Sequence, residues 1–205
     1  MTITHIFFDI GGVLGTNGWD REQRATAAAH FGLEDECDVR HHEVVGDWEV
    51  GALTTNQYLA STIFFRPREF TPAEFFAWMC EQSRPFDETI GIARALKAAG
   101  GVRLMTLNNE SADLNRYRIE RFGLREIFSA FLSSCWLGAR KPSPRMFDRA
   151  LGIAQARADE SLFIDDREQN LAPARELGMQ GLLYRDVATL RTELAGRGFP
   201  ATTQH

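Results

Sequence analysis

SLFIDDREQNLAPARELGM occupies residues 161–179. A short apolar run, 161–164, stops at two adjacent carboxylates, Asp165 and Asp166. A helical pattern then spans 171–177, and Gly178 follows as a candidate C-cap. Four residues rich in Ile, Leu and Phe and bounded by turn residues read as a strand covered on both faces. Strand, acidic turn and helix in that order form half of a parallel βαβ unit.

The same grammar repeats outward from this stretch. Further strands are predicted at 4–8, 102–107, 128–132 and 181–184, with helices at 111–122 and 144–151 between them. Gly123 and Gly152 are read as further C-caps. Alternation of this kind predicts an α/β fold, a three-layer Rossmann-like parallel sheet joined by right-handed crossovers. The interval between the first two strands breaks the rhythm. It carries only helical patterns, at 21–31, 39–48, 55–64 and 72–82, before a helix at 88–99 returns to the sheet. Thr71-Pro72-Ala73-Glu74 opens the fourth with a capping hydroxyl, Pro at the first helical position and Glu three residues after the cap. Residues 16–86 are therefore assigned to an inserted α-helical cap domain, and 1–15 with 87–205 to the core. The aromatic segment 64–78 is read as cap core, and the tail 198–205 as frayed.

Composition narrows the function classes. The 205 residues are 44% hydrophobic and 25% charged, which suits a soluble globular chain with a sizeable core. The net charge of −5 disfavours nucleic acid as a partner. No apolar stretch is long enough to span a membrane, and the opening residues lack the pattern of a targeting peptide. Cys37, Cys80 and Cys135 form no metal-binding or disulfide pattern, so the expected compartment is the cytoplasm. Oligomeric state is left open.

In an open α/β sheet the ligand site lies beyond the carboxyl ends of the strands. Asp9-Ile10-Gly11-Gly12 follows the first predicted strand, Asn108-Asn109 the second, Lys141-Pro142 the loop after the third, and Asp165-Asp166 the fourth. One Asp after a strand is ordinarily a turn or a cap. Carboxylates leaving two strands at the same rim repel unless a cation neutralises them, and an all-oxygen ligand set favours Mg²⁺ over zinc. Lys141 and Lys97 are the only lysines among 23 basic residues, and a lysine in such a loop suggests a need for a compact ammonium. Gly11-Gly12 is read as permitting close approach to a phosphate, with a tight strand exit as the alternative.

The segments FFDIGGVL, LNN, GARKPSPRMF and LFIDDREQNLAPARELGM resemble, in order and spacing, the four motifs of the haloacid dehalogenase-like hydrolase superfamily. The helical insert lies where that family carries its smaller cap. The resemblance implies a Mg²⁺-dependent phosphatase acting on a small phosphorylated metabolite. Asp9 would attack phosphorus to form an aspartyl-phosphate. Asp9, the carbonyl of Gly11 and Asp165 or Asp166 would hold the metal, and Lys141 would offset charge. Gly11, Gly12, Asn108 and Asn109 would contact the phosphate.

Two departures qualify this. The family's phosphatases usually place a second Asp, the general acid, where Gly11 stands; losing such a group costs ~10²–10⁴ in rate. Asn108 replaces the usual Ser or Thr, with Thr106 as a competitor whose register points it into the sheet. Both departures motivate an alternative, a non-catalytic relative that binds phosphate or a protein. Asp165-Asp166 counts against metal-free dehalogenation, and a cap without lysine counts against Schiff-base phosphonate hydrolysis. Asn17 and Trp19 are candidates for the substrate mouth, Trp19 being read chiefly as a cap-core or hinge anchor. His41 or His42, but not both, is a candidate replacement acid.

Overall fold

A computed structural model describes residues 2–200 of the chain. Its five strands are β1 (His5–Phe8), β2 (Arg103–Asn108), β3 (Ala130–Ser133), β4 (Ser161–Asp165) and β5 (Gln180–Leu183). All neighbours pair in parallel, in the order β3-β2-β1-β4-β5. The predicted Rossmann-like sheet is thus present, each strand displaced by no more than two residues at its ends.

The period-2 alternation of side chains explains the three layers. Ile6, Phe8, Leu104, Leu162 and Ile164 face one cluster, which includes Ile90, Ala93 and Leu96 of α5 (Asp87–Ala99) and Leu190 and Leu194 of α10 (Val187–Gly196). Phe7, Met105, Leu107 and Phe163 face the other, with α8 (Pro144–Ala154) and α9 (Glu168–Glu176). Strands buried on both faces therefore lack the polar alternation of an open sheet. The core helices are completed by α6 (Ala112–Arg121) and the short α7 (Ser134–Leu137).

Between β1 and α5 the chain forms α1 (Arg21–Phe31), α2 (Asp35–Glu49), α3 (Thr55–Thr62) and α4 (Pro72–Glu81). Three of these start on reciprocal capping boxes, Asp20 with Gln23, Thr54 with Gln57, and Thr71 with Glu74. Each box satisfies two backbone donors that the first helical turn leaves orphaned. The helices share a cluster of their own, built on Trp19, Trp48, Tyr58, Phe75 and Met79, which Leu114 of α6 joins. Phe64, Phe65, Phe70, Phe76 and Trp78 pack against it. The chain leaves and re-enters the core side by side: Thr16 N donates to Arg84 O at 2.9 Å, and Phe86 N to Leu14 O at 2.9 Å.

Three expectations are corrected here. The helix predicted at 144–151 runs on to Ala154, and Gln155, at φ 54°, takes the left-handed position expected of Gly152. Ala154 is buried in the α8 cluster, so the extra turn gains apolar contact. The stretch 187–196, unassigned in the sequence, is α10, capped by Asp186 Oδ1 accepting from Thr189 N at 2.7 Å. The expected fraying of 198–205 fails at its start, because Phe199 packs against the larger core cluster; residues 201–205 lie outside the described residues. No helix among the described residues is long and apolar enough to cross a membrane.

Candidate active site

Register places the first two carboxylates. Phe8 of β1 pairs with Ile164 of β4, and Asp9 N donates to Ile164 O at 2.9 Å, so Asp9 and Asp165 leave adjacent strands at the same level. Lys141 lies between them, its Nζ 3.0 Å from Asp9 Oδ2 and 2.6 Å from Asp165 Oδ2. All three side chains are buried. Asp9 Oδ1 accepts from its neighbour Ile10 N at 2.8 Å. Burial pushes the Asp9 carboxyl up to about 7, with the carboxylates of Asp165 and Asp166 adding to the rise and Lys141 opposing it. The field of Asp9 and Asp165 overrides burial at Lys141 and raises its affinity for a proton, keeping it an ammonium.

Asp165 is held on every side. Arg167 N donates to Oδ1 at 2.8 Å, and Asn170 Nδ2 reaches Oδ1 at 3.0 Å and Oδ2 at 3.1 Å. Asp166 is the contrast. Its Oδ1 is buried with no hydrogen-bond partner, and burial beside Asp165 raises its carboxyl. Oxygens of Asp9, Asp165 and Asp166 all lie within 4.8 Å of one another. An orphaned buried carboxylate oxygen in an all-oxygen cluster fits a hard divalent cation, which would supply the missing partner.

The glycines divide their roles. Gly12 adopts φ +73°, and a Cβ there would stand 2.3 Å from Asp166 Oδ2. Its N–H donates to Gly15 O at 2.8 Å, closing the turn rather than facing the cavity. Gly12 is therefore placed as the seat of Asp166, not beside the expected phosphate. Gly12→Ala is expected to displace Asp166 and weaken binding of a divalent cation by roughly 10–100-fold, the usual scale for disturbing a metal's surroundings; a calorimetric titration with magnesium measures it. Gly11 lines the cavity, and the amide oxygen of Asn17 fills the space beside it, 2.9 Å from where a Cβ would stand.

The structure does not bring Asn108 to the cavity. Its Nδ2 donates to Asn115 Oδ1 at 3.0 Å, and its Oδ1 accepts from Ser133 Oγ at 2.8 Å, tying β2 to α6 and β3. Thr106, its competitor, is buried in the sheet with an unpartnered hydroxyl. Asn109 does line the cavity, and it clamps the Lys141 backbone. Nδ2 donates to Lys141 O and Oδ1 accepts from Lys141 N, both at 2.9 Å.

The cavity has a volume of about 320 Å³, with Asp9, Lys141 and Asn170 on the core side and Trp19, His41 and Trp48 on the side of the inserted helices. Ion pairs cross its mouth, Arg140 to Glu49 at 2.7 Å and Arg167 to Asp20 at 2.5 Å. Deeper in the wall, Arg118 pairs with Glu110 at 3.1 Å and donates to the carbonyl of Thr16. Sequence reasoning assigned no role to Asn170, although it stands in the quoted motif five residues after Asp165, where the first turn of α9 aims it back at that carboxylate. The arginine pairs have no sequence signal, because their partners are 8 to 147 positions distant.

A family model for haloacid dehalogenase-like hydrolases matches residues 3–178. The chain belongs to this family. Among curated relatives of the haloacid dehalogenase-like chain, the bifunctional epoxide hydrolase 2 of Rattus norvegicus is 31% identical over 140 residues, 65% of this chain but 25% of that protein. The chain thus spans about a quarter of that relative's length. The D-ribitol-5-phosphate phosphatase of Bacteroides thetaiotaomicron is 27% identical, with 94% of this chain and 97% of that one aligned. A haloacid dehalogenase family enzyme from the same organism, solved in complex with magnesium and inorganic phosphate, superposes with a TM-score of 0.75 at 20% identity, covering 89% of this chain and 94% of that one. The likeness of that structure shows the fold, and the family model places the chain among hydrolases.

Proposed function

We propose that the protein is a Mg²⁺-dependent phosphatase that hydrolyses a small phosphorylated metabolite through an aspartyl-phosphate on Asp9, beneath a cap formed by residues 16–86. The observation that carries this reading is the set of buried Asp9, Lys141 and Asp165 with half-buried Asp166, whose Oδ1 is buried and orphaned. A phosphatase relative aligned over nearly its whole length, and a fold relative holding magnesium and phosphate, support it.

Asp9, Asp166 and the carbonyl of Gly11 would hold the cation, with Asp165 completing the acidic set. Bound there, Mg²⁺ would offset the charge of the carboxylates and of the phosphoryl oxygens. The Asp9 carboxylate attacks phosphorus as the bond to the leaving oxygen breaks, and the leaving alcohol takes its proton from water. A second water then attacks phosphorus and releases Asp9 and inorganic phosphate. Lys141 neutralises charge on Asp9 as the phosphoryl group arrives, and Asn109 fixes the loop that carries it. Chemistry of this kind rests on positioning and electrostatics, which rigid strand ends provide.

Gly11 offers no proton to the departing oxygen. Rates on aryl and alkyl phosphates should therefore fall steeply as the leaving-group pKa rises, by roughly 10²-fold or more between p-nitrophenol and a simple alcohol. The test is release of p-nitrophenol and of phosphate across such a series, with Mg²⁺ and then with EDTA. Loss of all turnover in EDTA is the expected result. Turnover indifferent to chelation, or Mg²⁺-dependent binding of beryllium fluoride with no turnover of any ester, would overturn the reading.

A further inference from the structure

Opposite the catalytic carboxylates, the cap presents a hydrogen-bonded chain of three buried side chains. Trp19 Nε1 donates to Tyr58 Oη at 2.7 Å, and Tyr58 Oη lies 2.7 Å from His41 Nδ1. Trp48 stacks on Tyr58 with ring centroids 3.9 Å apart and 8° between planes, and its own Nε1 donates to Thr55 Oγ1. Each member of the chain is thus held by its neighbours.

Counting protons along this chain fixes the tautomer of His41. An indole nitrogen only donates, so Tyr58 oxygen accepts from Trp19. Among the described residues, the Tyr58 hydroxyl meets Trp19 Nε1 and His41 Nδ1 at 2.7 Å each, and of these two only His41 Nδ1 can accept its proton. If Nδ1 carried a proton instead, the buried hydroxyl would lose its partner, at the cost of an unsatisfied donor. Tyr58 therefore donates to Nδ1, and neutral imidazole carries its proton on Nε2. Burial, with Arg24 and His42 nearby, pushes His41 down to about 4 despite the opposing Asp38 and Asp20, which keeps the ring neutral. Nε2 makes no hydrogen bond among the described residues, while His41 lines the catalytic cavity.

The neighbouring His42 differs. Its ring is 64% exposed and lies 3.3 Å from Asp38, so only His41 combines burial with a fixed donor. A neutral, paired imidazole is poorly suited to replace the acid missing at Gly11. It is well suited to recognise an uncharged oxygen. Asn17 and Gln169 add amides to the same cavity, whose size admits a molecule of a few carbons beyond its phosphate.

We propose that His41 is a specificity-determining residue, its Nε2–H donating to a hydroxyl on the organic part of the substrate, so that short polyol or sugar phosphates are preferred over plain alkyl phosphates. This rests on the phosphatase reading above. It adds a recognition contact held in place by Tyr58 and Trp19.

The experiment measures kcat/KM for C3–C5 polyol phosphates, for the n-alkyl phosphates of equal length, and for p-nitrophenyl phosphate. The wild-type protein is compared with His41→Phe, His41→Gln and Tyr58→Phe. The wild type should prefer the polyol esters. His41→Phe should lose about tenfold or more on them and little on the alkyl or aryl esters, as expected when a site built to hydrogen-bond loses its donor. His41→Gln, which places an amide N–H near the position of Nε2, should recover most of the loss. Tyr58→Phe should show a smaller, KM-weighted loss confined to the polyol esters, because the tautomer is no longer fixed. Equal losses on all three classes, no loss in His41→Phe, or a wild-type preference for alkyl esters would overturn the proposal while leaving the phosphatase reading intact. Failure of the wild type on every ester with Mg²⁺ would remove both. Thermal unfolding of each variant identifies a folding defect, and His41→Gln then carries the comparison.

Discussion

Asp9→Asn is expected to remove Mg²⁺-dependent phosphomonoester hydrolysis by about four orders of magnitude or more, the scale seen when a covalent nucleophile is lost. The substitution is nearly isosteric and should not unfold the protein. Lys141 keeps its contact with Asp165 at 2.6 Å, and one of three mutually repelling carboxylates becomes neutral. Melting temperature should therefore stay level or rise while turnover disappears. A variant that retains turnover within tenfold of the wild type would exclude Asp9 as nucleophile. The pH dependence follows from the same group. Its folded pKa lies near 7, above the ordinary value of 3.8, because the carboxyl is buried. In the metal-free protein Asp9 thus holds a proton as pH falls below about 7, and metal uptake must release it. Magnesium affinity, read by titration calorimetry in two buffers of different ionisation enthalpy, should weaken as pH drops from 8 to 6.

Lys141→Met is expected to abolish activity and to destabilise the fold as well. The ammonium is buried and contacts both Asp9 and Asp165. Removing one partner from a buried ionic cluster typically costs 3–5 kcal/mol, roughly, because the charges left behind have neither water nor counterion. Burial already raises the Asp9 carboxyl, and losing the ammonium that opposes this rise makes Asp9 hold its proton still more tightly when folded than when unfolded. The stability it contributes is then present at low pH and lost as pH rises through its folded value. The deficit of Lys141→Met should accordingly be larger at pH 8 than at pH 5, and saturating Mg²⁺ should narrow it. Urea denaturation at the two pH values, with and without the metal, measures this. A deficit that is independent of pH would show that the contribution of Lys141 lies in packing.

These two predictions draw on residues that stand out in the chain alone. Asp9, Lys141, Asp165 and Asp166 each follow a strand or its loop, and a parallel sheet carries all such exits to one rim. Gly12 and Asn108 were equally conspicuous, yet the structure gives them internal partners. Gly12 closes a turn and seats Asp166, while Asn108 ties β2 to α6 and β3. Spacing places both at the rim. Whether a side chain or N–H faces outward depends on the local turn and on what the neighbouring elements offer it.

The sequence by itself determined the parallel α/β core, the helical insert after β1 and the acidic rim. Those features rest on local regularities, namely apolar runs of strand length, capping boxes and glycine stops, which act within a few residues of one another. Only the tertiary structure decided which oxygen of the acidic set lacks a partner. It also decided that Asn170 braces Asp165, and that His41 rather than His42 is buried against Tyr58 on the cavity wall. Each of these depends on groups brought together from different elements, and on burial that makes an unmatched proton or charge costly. Neither condition is written in the spacing of residues along the chain.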